Sequence, residues 1–126
     1  STAAVSLASA IYRNARELHI VNTRNNSTIP CLPQDCAIET NCVIDGTGPH
    51  PMTIGDVPLE IRGLLQAVKS YEELTVKAGV EGSRKLALQA LVAHPLVPSF
   101  AVAKGLLDRI LEVNANYLPQ FRARRR

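Results

Sequence analysis

What most restricts the fold of this chain is a helical apolar pattern that takes over after Asp56 and is cut twice. Ile61, Leu64, Leu65, Val68, Tyr71, Leu74 and Ala78 recur at three- and four-residue spacing, which puts them on one face of an α-helix. Asp56 suits the cap of that helix and Pro58 its first turn. Gly82 is placed to end it, and Ser83 to cap a second helix over Arg84 to His94. In that second helix Leu86, Leu88, Leu91 and Val92 cover most of the circumference, which predicts deep burial. Pro95 stops it, and Pro98-Ser99 opens a third helix with Val102, Leu106, Leu107, Ile110 and Leu111 facing inward.

The first half reads differently. Val5, Ala8, Ile11, Tyr12 and Ala15 give Ser1 to Arg16 a helical period, with Ala and Ser on the other faces. So many small residues suit a helix buried on several sides. Leu18 to Val21 is strand-like and is followed by the polar, turn-forming Asn22 to Thr28. Pro30 and Pro33 hold the next residues extended and out of regular pairing. Ala37 to Asp45 is a second strand, Asp45-Gly46 a turn, and Met52 to Ile54 a short returning strand. The fold class predicted is α+β, a small sheet with a helical layer.

Charge and length narrow the partners. The net charge is +3, but Arg122, Arg124, Arg125 and Arg126 supply four of the basic groups, and the remaining ten face eleven acidic ones. A near-neutral body with a basic terminus reads as a solvated end, and no nucleic-acid partner is expected. No run approaches the ~18 apolar residues of a membrane span, so no membrane partner is expected. At 126 residues the chain suits one domain. With no Trp and 4% aromatic residues, its core must be aliphatic.

Chemistry-bearing patterns are scarce. There is no glycine-rich phosphate loop, no Gly-x-Ser-x-Gly elbow and no His-Glu-x-x-His. Cys31, Cys36 and Cys42 lack the spacing of a zinc knuckle, and Cys42 sits in an apolar run that suits packing. His94, at a helix end, suits a partner for free carbonyls. Glu72 and Glu73 diverge by about 100° on a helix and are no carboxylate pair. The one polar cluster is Asn22-Thr23-Arg24-Asn25-Asn26, dense in hydrogen-bond donors. It suits either ligand binding or plain turn chemistry, and composition does not choose between them.

The order of the blocks is that of a known family. Val21-Asn22-Thr23-Arg24-Asn25-Asn26-Ser27-Thr28-Ile29-Pro30, then Leu32-Pro33 and Ala37-Ile38-Glu39, resembles a segment in the C-terminal half of family 4 glycoside hydrolases. Ala67-Val68-Lys69-Ser70-Tyr71-Glu72-Glu73-Leu74-Thr75-Val76-Lys77-Ala78 is similar to that family's long helix. Leu86-Ala87-Leu88-Gln89-Ala90-Leu91-Val92-Ala93-His94-Pro95-Leu96-Val97 and Asn116-Tyr117-Leu118-Pro119-Gln120-Phe121 resemble its last two landmarks. Ser1-Thr2-Ala3-Ala4 fits the 6-phospho-β-glucosidase branch. The fold implied is the C-terminal domain of the lactate/malate dehydrogenase-like and family 4 glycosidase superfamily.

The resemblance implies a much longer, cytoplasmic, homo-oligomeric enzyme that hydrolyses phosphorylated glycosides. It implies NAD and a divalent metal, manganese, as cofactors, and an N-terminal dinucleotide-binding domain as partner. Its chemistry is the NAD-dependent oxidation and elimination that stands apart from two-carboxylate glycosidases. Residues 1–121 are then expected to be a C-terminal domain fragment, inactive alone, and 122–126 a disordered basic tail. No catalytic, cofactor or metal residue transfers to this chain: Tyr12, Tyr71 and Tyr117 do not match the family's base, nor the cysteines its metal ligand. Asn22, Arg24 and Asn25 are the expected substrate-facing residues. Ala3, Ala4, Val5, Ala8 and Ile11 are expected to be covered by partners. The other reading is a non-catalytic oligomerisation or interaction module of shared ancestry.

Overall fold

The computed structural model describes residues 2–122. In chain order it contains helix α1 (Thr2–Arg13), strands β1 (Glu17–Arg24), β2 (Ala37–Asp45) and β3 (Gly48–Pro51), helices α2 (Leu59–Glu81), α3 (Arg84–Ala93) and α4 (Phe100–Val113), and a 3₁₀ turn at Pro119–Phe121. The class is α+β, as the pattern predicts. Where the length suggests one domain, however, the chain forms two compact units, Ser1–Pro58 and Leu59–Arg126. No helix of the described residues is long and apolar enough to cross a membrane.

In the first unit α1 ends at Arg13, three residues earlier than its apolar period suggests. Asn14 adopts a left-handed backbone, φ 52°. The N–H groups of Asn14 and Ala15 fold back onto the carbonyls of Ile11 and Ala10 at 3.1 and 3.0 Å, a Schellman stop with Asn where glycine is usual. The Asn14 Oδ1 then accepts the Gly46 N–H at 2.8 Å, tying the helix end to the β2–β3 turn. Strand β1 pairs antiparallel with β2 from Glu17↔Ile44 to Arg24↔Ala37, and β2 with β3 from Cys42↔Pro51 to Asp45↔Gly48. The sheet order is β1-β2-β3.

The core is Ala10 of α1 against Cys42 and Ile44 of β2, all fully buried, with Leu7, Ile11, Ala15 and Val21 packed around them. A small residue at position 10 lets the helix backbone approach the sheet. The helix is covered on one side, not several: Ala3, Ala4, Val5, Ala8 and Tyr12 are exposed. The returning strand is Gly48–Pro51 rather than Met52 to Ile54, because the tight turn at Gly46-Thr47 reverses the chain at once. The Met52 N–H still continues the ladder to Asn41 O at 3.0 Å.

The second unit keeps the predicted punctuation between its helices, but α2 starts at Leu59, so Pro58 stands just before the first turn and Asp56 is too far upstream to be the cap. Gly82, at φ +66°, ends α2, and Ser83 N–H bonds Ala78 O at 3.1 Å. Ser83 and Ser99 cap α3 and α4 through side chains that accept the N–H groups of Leu86 and Val102. The buried residues of the three helices are mainly alanines: Ala78, Ala90 and Ala103, joined by Leu107. The deep burial expected of α3 is not found, since Leu86, Leu88 and Leu91 are half-buried and Val92 is exposed. Ile61, Leu64, Val102, Leu106 and Ile110 are also exposed. Helical spacing aligns side chains on a face; it does not supply the surface that covers that face.

Candidate functional site

The polar stretch straddles the end of β1 and the loop of residues 25–36. Asn22, Thr23 and Arg24 belong to β1, not to a turn. Their register against Glu39, Ile38 and Ala37 explains why: pairing with β2 overrides the weak strand preference of Asn22, and Thr23 favours a strand by itself. Side chains alternate along a strand, so Asn22 and Arg24 share the exposed face with Leu18 and Ile20.

Asn25 turns the other way and is completely buried. Its Nδ2 lies 3.1, 3.1 and 3.0 Å from the carbonyls of Ile29, Leu32 and Pro33, and its Oδ1 accepts the Ile29 N–H at 2.8 Å. Two amide hydrogens serve three acceptors, so one is shared. The backbone completes the closure: Asn25 N–H to Cys36 O at 2.9 Å and Asn26 N–H to Gln34 O at 2.8 Å. Asn26 and Ser27 take left-handed backbones, φ 43° and 67°. For positions 25–27 the turn-chemistry reading holds. The expected trio is therefore divided: Asn22 and Arg24 present themselves to solvent, while the Asn25 amide is spent inside the loop.

The structure also assembles a polar group that spacing does not single out. At the β2–β3 turn, Asp45 Oδ1 accepts from Thr47 N–H at 2.8 Å and Thr47 Oγ1 at 2.7 Å, and lies 2.9 Å from His50 Nε2. The Thr47 bonds first, then His50, hold the Asp45 carboxyl down at about 2. The same His50 nitrogen meets both Asp45 and Thr47. A nucleophile–base–acid relay needs the two ring nitrogens to face different partners, so this cluster braces a turn. The Asp45-Gly46 turn signal was its only trace in the sequence.

The remaining sequence candidates take structural places. His94 does not serve free carbonyls with its ring; Nδ1 accepts the Leu96 N–H at 3.1 Å, and the ring meets Tyr71 edge-on at 4.4 Å. Cys42 is packed core, and burial pushes its thiol up. Glu72 pairs with Lys69. Among the described residues no group of three or more His, Cys, Asp or Glu gathers where it could hold a metal ion. The second unit has a cavity of about 300 Å³ walled by Tyr71, Ala78, Ala90, Leu107, Leu118 and Phe121 among others. Its one hydroxyl besides tyrosine, Thr75, already donates to Tyr71 O.

The first unit is a three-stranded sheet braced by one helix, and the second is built of three helices. Residues 1–97 match the family 4 glycosyl hydrolase C-terminal domain. A probable 6-phospho-beta-glucosidase of Bacillus subtilis is 47% identical over 121 residues, 96% of this chain and 27% of that protein. The 6-phospho-beta-glucosidase of Thermotoga maritima is 42% identical over 118 residues, 94% of this chain and 28% of that protein. Its crystal structure with manganese, NAD+ and glucose-6-phosphate superposes at a TM-score of 0.84 and 41% identity, covering 93% of this chain and 29% of that one. A 6-phospho-alpha-glucosidase from gut microorganisms with NAD and Mn2+ gives 0.88 at 32% identity, over 93% and 27%.

The chain belongs to the family 4 glycosyl hydrolases and corresponds to their C-terminal domain. It spans little more than a quarter of the length of the relatives it matches. Its described residues do not fit a manganese ion, which takes oxygen and nitrogen donors in a set. They lack the glycine-rich turn at a helix start that receives a dinucleotide.

Proposed function

We propose that this chain is the C-terminal domain of a 6-phospho-β-glucosidase that hydrolyses phosphorylated glycosides, and that the chain alone is inactive. The observation that carries this reading is the 47% identity to the Bacillus relative across 96% of the chain. NAD and manganese, both present with the Thermotoga enzyme in its crystal, would be held outside these residues. Within this chain, Asn22 and Arg24 are the groups assigned to the substrate side, and Asn25 shapes the loop next to them. A cytoplasmic location is part of the same proposal, and a phosphorylated sugar, a charged solute that bilayers exclude, would be retained there once made.

The test is a chimera in which this chain replaces the matching segment of the Bacillus enzyme. Turnover of a 6-phospho-β-glucoside with NAD and manganese is expected from the chimera and not from the isolated chain. Arg24→Ala in the chimera is expected to raise KM. A folded but inactive chimera would favour the non-catalytic module instead, and turnover by the isolated chain would overturn the assignment.

A further inference from the structure

Helix α3 packs against both α2 and α4, whereas α2 and α4 barely meet. The C-terminal turn crosses back to α2, where Gln120 Nε2 donates to Gly79 O at 3.0 Å. These elements surround the cavity of about 300 Å³. Its floor is Ala78, Ala90 and Leu107, one buried residue from each helix. Two of the three are alanines, whose short side chains let α2 and α3 approach without filling the space beside them.

Tyr71 and Phe121 give the cavity aromatic walls. The Tyr71 ring is held by its edge-on contact with His94 at 4.4 Å. Phe121 sits in a turn closed by its own N–H on Leu118 O at 3.1 Å. Thr75 and Ile110 are the only exposed wall residues, so the mouth opens between α2 and α4. Every wall residue belongs to Leu59–Arg126, and all but those two are buried or half-buried. The unit's own side chains thus enclose a space of ligand size, set back from its surface.

The wall restricts what can enter. No wall residue carries a charge, and the Thr75 hydroxyl is committed to Tyr71 O at 2.8 Å. A charged molecule would lose its hydration there without gaining a partner. An apolar cavity of roughly 150 Å³ accepts one benzene ring, so this one has room for two fused rings. We infer that the cavity is a binding site for a small, neutral aromatic molecule of up to two fused rings, which enters between Thr75 and Ile110 and lies between Tyr71 and Phe121. The site uses none of the residues assigned to the substrate, so the inference is independent of the glycosidase assignment.

The probe is indole, with indole-3-carboxylate as its charged counterpart. Indole is expected to saturate the chain with a dissociation constant on the order of millimolar or tighter. The methyl resonances of Ala78, Ala90 and Leu107 should shift with saturation and show nuclear Overhauser contacts to the indole protons. Indole-3-carboxylate is expected to bind about tenfold more weakly or less still. Ile110→Trp fills the exposed mouth and is expected to abolish saturable binding. Val113→Trp, exposed on the same helix but outside the wall, should leave it unchanged. Calorimetry on the chimera described above repeats the titration with the rest of an enzyme present, and the affinity is expected to be retained. Loss of binding in the chimera would mean that the longer protein itself covers the mouth, and overturns the inference. So does equal binding of the two probes, or a titration to the solubility limit of indole that leaves the three floor methyls unmoved.

Discussion

The sheet unit and the helical unit are closed by opposite means. In Ser1–Pro58 the irregular segments are fixed by polar side chains that reach backbone groups: Asn14 to the turn at Gly46, Asn25 to the loop of residues 25–36, and Asp45 to the Thr47 N–H. In Leu59–Arg126 the buried positions are alanines and Leu107, and the C-terminal turn is held by near-contact of backbones. A loop with no periodicity has unpaired N–H and C=O groups that must be satisfied if it is buried. Helices satisfy their own, so they need only approach closely. The sheet unit should therefore fail when a polar group is removed, and the helical unit when a methyl group is added.

The largest effect expected is at Asn25. Asn25→Ala removes the fully buried amide that closes the loop. It leaves the Leu32 carbonyl and the Ile29 N–H without their partner, while Ile29 O and Pro33 O keep the Leu32 and Cys36 N–H groups. The expected cost is on the order of 3 kcal/mol in denaturant unfolding. Asn25→Asp should also be severe, because a carboxylate cannot donate to the carbonyls of Ile29, Leu32 and Pro33. A loss under about 1 kcal/mol for either would break the comparison.

The counterpart in the helical unit is Gly82→Ala. A Cβ there would lie 2.0 Å from Gln120 O, at a φ of +66° that side chains rarely adopt. The expected cost is about 1–3 kcal/mol, with loss of amide protection around the turn at Pro119–Phe121. The Gln120 Nε2 bond to Gly79 O at 3.0 Å should be lost with it.

Thr40 sharpens the contrast from within the sheet unit, since its buried hydroxyl has no partner among the described residues. Thr40→Val keeps the shape and removes the unsatisfied group, so stability should hold or rise by about 1 kcal/mol or less. The smallest effect is at the exposed turn. The Asp45 carboxyl is held at about 2 against an ordinary 3.8. Its contribution is present above pH 3.8 and disappears as pH falls through about 2. Asp45→Asn should flatten stability against pH over that window, as acid titration of the unfolding midpoint would show.

Much of this fold was legible locally. Ala37 to Asp45 is the observed second strand, residue for residue, and the turn after it begins where Asp45-Gly46 marks it. Gly82, Ser83 and Ser99 punctuate the helices as their chemistry requires. The substrate-side residues were legible only as a cluster. Nothing in Asn22-Thr23-Arg24-Asn25 says that three of the four continue a strand and the fourth turns inward. The strand is decided by residues 37–39 across the ladder, and the inward turn by carbonyls four to eight positions further on.

The chain's own order of residues determined its caps, its turns, its α+β class and its family, because each rests on short-range chemistry or on the succession of motifs. Tertiary structure alone decided which members of each apolar stripe are covered, that Asn25 is interior, and that α2 and α4 stand apart around a cavity. Burial and helix packing are relations between distant segments. A residue's neighbours in sequence carry no record of them.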